Sequence, residues 1–410
     1  MSARTACRFC GAPLSHTVVD LGMSPLCESY VPADRLDAME PFYPLHVRVC
    51  ERCLLVQIPE FVPPEEIFTE YAYFSSFSDS WVEHARRYVD QAADRLGLGP
   101  GSLVVEVASN DGYLLQHVVA RGIRALGVEP AANVARAAEE RGVPTRVAFF
   151  GRDEAARMVA EGLTADLIAG NNVLAQVPDL NDFVAGLAVL LAPGGMLTLE
   201  FPHVVQLIEQ RQFDTIYHEH FSYFSLITTQ EILAAHGLAV VDVEELPTHG
   251  GSLRVWAQHA GAGTPGPRVQ ELLDRERAAG YDGVDAYTAF GPEVERVKFD
   301  LLEFLIEARR EGRQVAGYGA PGKGNTLLNF CGIRTDLVAY TVDRNPYKQG
   351  MFLPGTHIPI HPPERLAETR PDDILILPWN LRDEIAAQLE YTQEWGARLV
   401  VPIPGLEVVR

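Results

Sequence analysis

The sequence predicts an α/β chain in three parts: a short cysteine-bearing N-terminal domain, a central Rossmann-like domain, and a smaller Rossmann-like domain at the C-terminal end. Three observations predict it. Two Cys-x-x-Cys pairs stand at Cys7/Cys10 and Cys50/Cys53, strands and helices alternate from Leu103 to Phe201, and a second strand, Gly-rich turn and helix begin at Val315. The expected boundaries are 1–78, 79–262 and 263–410.

The N-terminal part is defined by its cysteines. Six are present, at 7, 10, 27, 50, 53 and 331. Two Cys-x-x-Cys knuckles a few tens of residues apart have the spacing of a tetrahedral zinc site, with four thiolates about 2.3 Å from the metal. Two disulfides are the rival pairing, disfavoured in a reducing cytosol. Four thiolates leave no open position for water, so the metal expected on Cys7, Cys10, Cys50 and Cys53 is structural. Cys27 and Cys331 read as small buried apolar residues.

A Tyr/Phe/Ser-rich stretch, Tyr71 to Ser78, follows. It either packs the first domain onto the second or turns Tyr71 toward a cleft. An amphipathic helix then starts near Asp79, with Trp81, Ala85, Tyr88 and Ala92 as its buried stripe, and ends at Gly97 to Gly101.

Leu103 to Val107 reads as a buried strand leading into the turn Ala108-Ser109-Asn110-Asp111-Gly112. A second strand ends at Glu129-Pro130, about twenty residues on, where a carboxylate can accept both ribose hydroxyls of a nucleoside. A third runs from Ala165 to Asn171-Asn172, and Pro193-Gly194-Gly195 turns into a fourth ending near Phe201. The first turn has one glycine and an acid, Asp111, in place of GxGxxG. Such a turn should repel a pyrophosphate and suit a cationic, phosphate-free adenosine ligand.

The C-terminal part opens with a helix through Val297 to Arg310, then Val315 to Tyr318, Gly319-Ala320-Pro321-Gly322-Lys323-Gly324-Asn325, and strands ending near Asp343 and Leu377. Lys323 among glycines at a helix start suits a nucleotide diphosphate. Gly324 stands where a Walker A loop needs Ser or Thr, which argues against an NTPase. A purely structural turn is the alternative.

The densest functional signal is Tyr217-His218-Glu219-His220-Phe221-Ser222-Tyr223. His at i and i+2 does not fit the i, i+4 spacing of a helical zinc protease, so the run reads as a base with supporting groups.

The acidic turn, Glu106, Glu129 and Pro193-Gly194-Gly195 resemble the class I S-adenosylmethionine methyltransferases, with Ala108 where their first motif usually has glycine. Over the whole chain, the sequence resembles the nucleotide-sugar C-methyltransferases of deoxysugar biosynthesis. The motifs are the two Cys-x-x-Cys pairs, Tyr-x-Tyr-Phe-Ser-Ser from Tyr71, Ser-Asn-Asp-Gly from Ser109, Tyr-His-Glu-His from Tyr217, His-Gly-Gly-Ser-Leu-Arg from His249, and Gly-Ala-Pro-Gly-Lys-Gly-Asn from Gly319.

The resemblance implies methylation of carbon 3 of a thymidine-diphosphate-linked 4-keto-deoxyhexose, on the way to branched sugars of antibiotics. It makes His220 the base, supported by Tyr217, Glu219 and Tyr71. It places S-adenosylmethionine on Glu106, Ala108, Asn110, Gly112, Glu129, Pro130, Asn171 and Asn172, and the nucleotide sugar on Tyr318, Lys323, Asn325, His249 and Arg254. Gln176 stands where the family often has histidine, which puts a catalytic part for that position in doubt.

Two other functions are weighed: O- or N-methylation of another small metabolite, and a non-catalytic zinc-knuckle binding module. Net charge is −21, from 55 acidic and 34 basic residues, which disfavours nucleic acid and anionic membrane as partners. No signal peptide or spanning segment is read, so a cytoplasmic monomer or weak dimer is expected.

Overall fold

The computed structural model describes residues 5–64, 66 and 74–409. Tyr71 lies outside the described residues. Along the chain the strands are β1 (His16–Ser24), β2 (Tyr43–Val49), β3 (Val56–Gln57), β4 (Leu103–Val107), β5 (Arg124–Val128), β6 (Thr145–Arg146), β7 (Ala165–Asn171), β8 (Leu191–Pro202) and β9 (Ser222–Tyr223). There follow β10 (Leu238–Leu246), β11 (Ser252–His259), β12 (Val315–Tyr318), β13 (Thr341–Val342), β14 (Ile360–His361), β15 (Asp373–Ile376), β16 (Arg398–Val401) and β17 (Glu407–Val409).

Two compact units form, and both are discontinuous in sequence. The first comprises residues 1–14, 50–203 and 221–282; the second comprises 15–49, 204–220 and 283–410. This division cuts across the contiguous boundaries expected from sequence, for two visible reasons. Cys7, Cys50, Cys53 and Leu55 are part of the same buried cluster as Phe183, Leu197 and Phe224, so the knuckles share the core of the first sheet. The helix Pro267–Ala278 belongs there too. Its Glu276 accepts the backbone N–H groups of Leu226 (2.8 Å) and Ile227 (2.9 Å), capping the helix Leu226–Ala235, and pairs with His203 at 2.7 Å.

The first unit is built on a seven-stranded sheet in the order β10-β11-β8-β7-β4-β5-β6. β4 to β8 run parallel, β11 is antiparallel to β8, and β10 is antiparallel to β11. All five residues of β4 are buried, as expected of a central parallel strand covered on both faces. The helix Asp79–Leu96 starts on Ser78, whose hydroxyl accepts the Trp81 N–H, and stops at Gly97 in the left-handed conformation. Its predicted stripe holds: Ala85, Tyr88 and Ala92 are buried, and Trp81 is partly buried against the same cluster.

The second unit contains the antiparallel pair β1–β2 and a six-stranded sheet in the order β14-β13-β12-β15-β16-β17, parallel except for β17. The helix Phe290–Arg310 buries Phe290, Val294, Val297, Leu301, Leu305 and Ala308, a stripe at three- and four-residue steps. Among the described residues, no helix is long and apolar enough to cross a membrane.

Candidate active site

In an open α/β sheet, ligands bind beyond the carboxyl ends of the strands where the strand order reverses. In the first sheet that reversal falls between β4 and β7. It brings the turn Ala108–Gly112, the tip of β5 at Glu129, and Asn171-Asn172 to one edge, so the cofactor residues expected from sequence share that edge. Glu129 accepts the N–H of Asn110 and that of Ala131, both at 2.9 Å. Burial holds its carboxyl above the usual range against those two bonds. Glu106 is fully buried on β4, and burial pushes its pKa well up, with the Tyr113 hydroxyl opposing.

The turn carries strain. Ala108 has φ 56° and Asn110 φ 48°, and at the end of the neighbouring strand Asn172 has φ 56°. Asn tolerates this region; alanine there costs about 1–2 kcal/mol, which is the structural consequence of lacking glycine at 108. Asp111 is the acid expected to repel a pyrophosphate, and that part of the expectation needs correction. It is fully buried and paired with Arg141 at 2.6 Å, and it also accepts the Ser76 hydroxyl, so its charge is compensated inside the protein. What disfavours a pyrophosphate here is the single glycine.

Several buried polar atoms at this edge have no hydrogen-bond partner among the described residues: both amide atoms of Asn171, Asn172 Oδ1, Ser109 Oγ and Asp111 Oδ1. Buried polar atoms are rarely left so, and an edge with this many suits a polar nucleoside ligand such as S-adenosylmethionine. Pro130 lies beside Glu129 at the tip of β5, and Gly112 closes the turn at φ 76°.

The four knuckle cysteines converge. Their sulfurs lie within 4.8 Å of one another, with Cys7–Cys53 and Cys10–Cys50 at 3.5 Å. Four sulfurs at 2.3 Å from one tetrahedral zinc would be about 3.8 Å apart, so the donor set fits. Without a cation the set cannot ionise together. The Cys53 thiol holds Cys7 down to about 4, while Cys53 itself is driven up by that bond and burial, and Cys50 is pushed to about 11 by burial. Gln57 donates to Cys7 Sγ at 3.1 Å, and Arg8 reaches the carbonyls of Pro178 and Ile58, tying the knuckle to the sheet that it packs on.

In the second unit His218, Glu219 and His220 are buried while Tyr217 is partly exposed, and each residue has its own surroundings. The rings of Tyr217 and His220 meet tilted by 36° with centroids 4.2 Å apart, and His220 Nδ1 lies 3.3 Å from the Thr215 carbonyl. His218 packs edge-on to Tyr43 with Nε2 3.3 Å from the Pro44 carbonyl, and burial lowers its pKa. Glu219 does not meet the imidazole of His220 but accepts from Cys27 Sγ at 3.9 Å, and burial raises its pKa to about 8.

The second sheet reverses between β12 and β15. Lys323 stands there, donating to Asn380 Oδ1 at 2.7 Å with its ammonium 4.8 Å from the Trp379 ring centre. Trp379 Nε1 in turn donates to Asp214 at 2.7 Å; this carboxyl is fully buried, one of its oxygens lacks a partner among the described residues, and burial lifts its pKa to about 7. Asp214 and Trp379 were missed from sequence; the only available signal was Asp214's place three residues before Tyr217.

The glycines of this loop are filled by protein. A Cβ at Gly319 would meet Pro378 at 2.6 Å, and one at Gly322 would meet Cys27 Sγ at 2.9 Å. Close packing therefore accounts for both, and Asp343 already takes the Ala320 N–H at 2.7 Å. Tyr318 donates to Gln388, and Asn325 donates to the Cys27 carbonyl while its own Oδ1 stays buried without a partner among the described residues. Arg254, expected on the substrate, belongs to the first unit and is 3% exposed. It is clamped on Glu200 at 2.6 Å and Glu244 at 3.3 Å, so its charge is taken up inside the fold.

A chain with a four-cysteine cluster fit for zinc and a nucleoside-suited edge on a doubly wound sheet fits a methyl-transferring class, and sequence comparisons specify it. Family models match a zinc binding domain at residues 7–68, a methyltransferase domain at 81–243 and a C-methyltransferase C-terminal domain at 247–404. The C-methyltransferase NovU of Streptomyces niveus is 39% identical over 404 residues, covering 98% of this chain and 96% of NovU. The chain belongs to the S-adenosylmethionine-dependent C-methyltransferases. Among solved structures, magnesium protoporphyrin IX methyltransferase (ChlM) of Synechocystis PCC 6803 is 18% identical with a TM-score of 0.34, over 44% of this chain and 82% of that one. The CcbJ methyltransferase of Streptomyces caelestis is 12% identical with a TM-score of 0.35, over 43% of this chain and 90% of that one. Overlaps this loose bear on neither substrate nor mechanism.

Proposed function

We propose that this C-methyltransferase acts on carbon 3 of a thymidine-diphosphate-linked 4-keto-deoxyhexose, through an enolate formed by His220, in branched-sugar biosynthesis for an antibiotic. The observation that carries the reading is the Tyr217–His220 ring contact, with the Nδ1 of the buried imidazole near the Thr215 carbonyl. That carbonyl accepts a proton on Nδ1 and so leaves the basic lone pair on Nε2. S-adenosylmethionine supplies an electrophilic methyl on a sulfonium.

The residues of the chain do the proton work. A carbonyl at carbon 4 acidifies the carbon 3 proton, a neutral imidazole removes it, and a phenol such as Tyr217 donates to the oxygen on which charge develops. Glu219, protonated at neutral pH, offers a hydrogen bond to a sugar substituent and not to the base. Lys323, with its pKa lowered by burial, and Asn325 stand at the second switch point, where the nucleotide diphosphate is placed by this reading. His249 is placed by this reading on the donor side and Arg254 in support of the fold.

The test uses labelled methyl donor with a panel of 4-keto thymidine-diphosphate sugars, locating the label by NMR, and a parallel incubation in deuterated water without donor. Label on carbon 3 and exchange of the carbon 3 proton are expected. Label on oxygen or nitrogen would defeat the proposal.

A further inference from the structure

At the carboxyl end of β8, Glu200 is a fully buried carboxylate that the methyl-transfer chemistry does not use. Its oxygens are bonded by His84 Nε2 at 2.9 and 3.0 Å, by Arg254 Nη2 at 2.6 Å and by the Thr248 hydroxyl at 3.1 Å. Two of these partners lead back to the donor crevice. His84 stacks on Trp81 at 4.9 Å, and Trp81 meets the edge of His249 at 5.1 Å. Thr248 opens the loop Thr248–Gly251, whose last three residues all have positive φ, at 53°, 87° and 123°. The loop is closed by Gly251 N–H to the Thr248 carbonyl at 2.9 Å, and the Thr248 hydroxyl anchors to Glu200 the start of the segment that presents the strained His249.

His249 meets Asn172, whose Nδ2 donates to His249 Nε2 at 3.1 Å. An amide can be turned either way, and an unprotonated His249 Nε2 selects the orientation in which Nδ2 faces the imidazole. With Nδ2 committed to His249, Oδ1 becomes the atom offered elsewhere, and it is buried without a partner among the described residues. An acceptor so placed, at the edge where the sheet order reverses, suits an amine, ammonium or hydroxyl of the methyl donor.

We propose that Glu200 is a positioning residue for methyl transfer, acting through Thr248 and His249 to set the Asn172 amide with its oxygen turned to the methyl donor. The inference rests on the donor occupying the first switch point and is independent of which sugar is methylated. It predicts coupling, because Thr248 and His249 act along one path.

The experiment is calorimetric titration of the full chain with S-adenosylhomocysteine, for wild type, Thr248→Val, Thr248→Ser, His249→Ala and the Thr248→Val/His249→Ala double variant. Thr248→Val and His249→Ala should each raise Kd about tenfold, and the double variant should also be raised about tenfold. Thr248→Ser, which restores the hydroxyl, should bind as wild type does; a merely structural role for the loop would not give rescue together with non-additivity. Wild-type affinity in Thr248→Val, or losses that multiply to about a hundredfold in the double variant, would overturn the relay. Should Thr248→Val fail to fold, His249→Ala decides, since unchanged affinity there removes the path's last step. Failure of the wild-type chain itself to bind the probe would instead defeat the donor site, a separate result.

Discussion

Replacing Glu219 by glutamine probes the most strongly perturbed group of the Tyr-His-Glu-His run. The carboxyl is 6% exposed, beside Cys27, with Glu28 raising and Lys348 lowering its pKa; burial dominates and brings it from 4.5 to about 8. For an acid raised in the folded state, stability is fully present below pH 4.5 and is lost as pH climbs toward 8. Each pH unit in that window is ~1.4 kcal/mol, so wild type should lose roughly 2.5 kcal/mol between pH 5 and pH 7 from this group. Glutamine keeps the shape and cannot ionise. Any loss from burying its amide is the same at both pH values and drops out of the comparison. Urea unfolding of wild type and Glu219→Gln at pH 5 and pH 7 should therefore show the variant gaining about 2.5 kcal/mol relative to wild type at the higher pH. A difference between the two proteins that does not change with pH would refute the reasoning.

Other predictions concern separate parts of the molecule. His220→Asn should lower turnover by at least about a hundredfold with S-adenosylhomocysteine affinity unchanged; retained turnover would move the base elsewhere. Metal analysis should find about one zinc per chain, and Cys53→Ser should reduce that content and lower the thermal midpoint, whereas a metal-free purified protein that melts normally would contradict the site. Ala108→Gly should stabilise the chain by about 1 kcal/mol by relieving a left-handed alanine, and a lower melting temperature would show that the turn is not strained.

Much of the first sheet's switch-point edge was legible because its signals are local. The strand Leu103–Val107, its small-residue turn and the acid twenty residues on lie within one β-turn-helix-β unit, and the sheet order then forces them to one edge. The knuckles were legible for the same reason, since Cys-x-x-Cys brings two sulfurs together by itself. How these segments pack into two compact units was not legible. Nothing within residues 15–49 says that β1 and β2 leave the cysteines on either side of them and belong to the second unit, because which hydrophobic face a segment buries against depends on long-range packing.

Arg254 shows the same limit on the scale of one residue. Its place in His-Gly-Gly-Ser-Leu-Arg suggested a ligand contact, yet its partners, Glu200 and Glu244, lie on two other strands, and only the register of β10, β11 and β8 brings them together. Glu219 is a further case. Adjacent to His220 in sequence, it has its carboxyl on Cys27, 192 residues away along the chain. The amino-acid order by itself determined the element types, the turn that gathers at the first sheet's edge and the four-cysteine cluster, because periodicity, turn chemistry and short spacings act over a few residues. The tertiary structure alone decided which charges are neutralised, which glycines are packing positions and which loop holds Asn172, because burial and ion pairing arise between segments that are distant until the chain has folded.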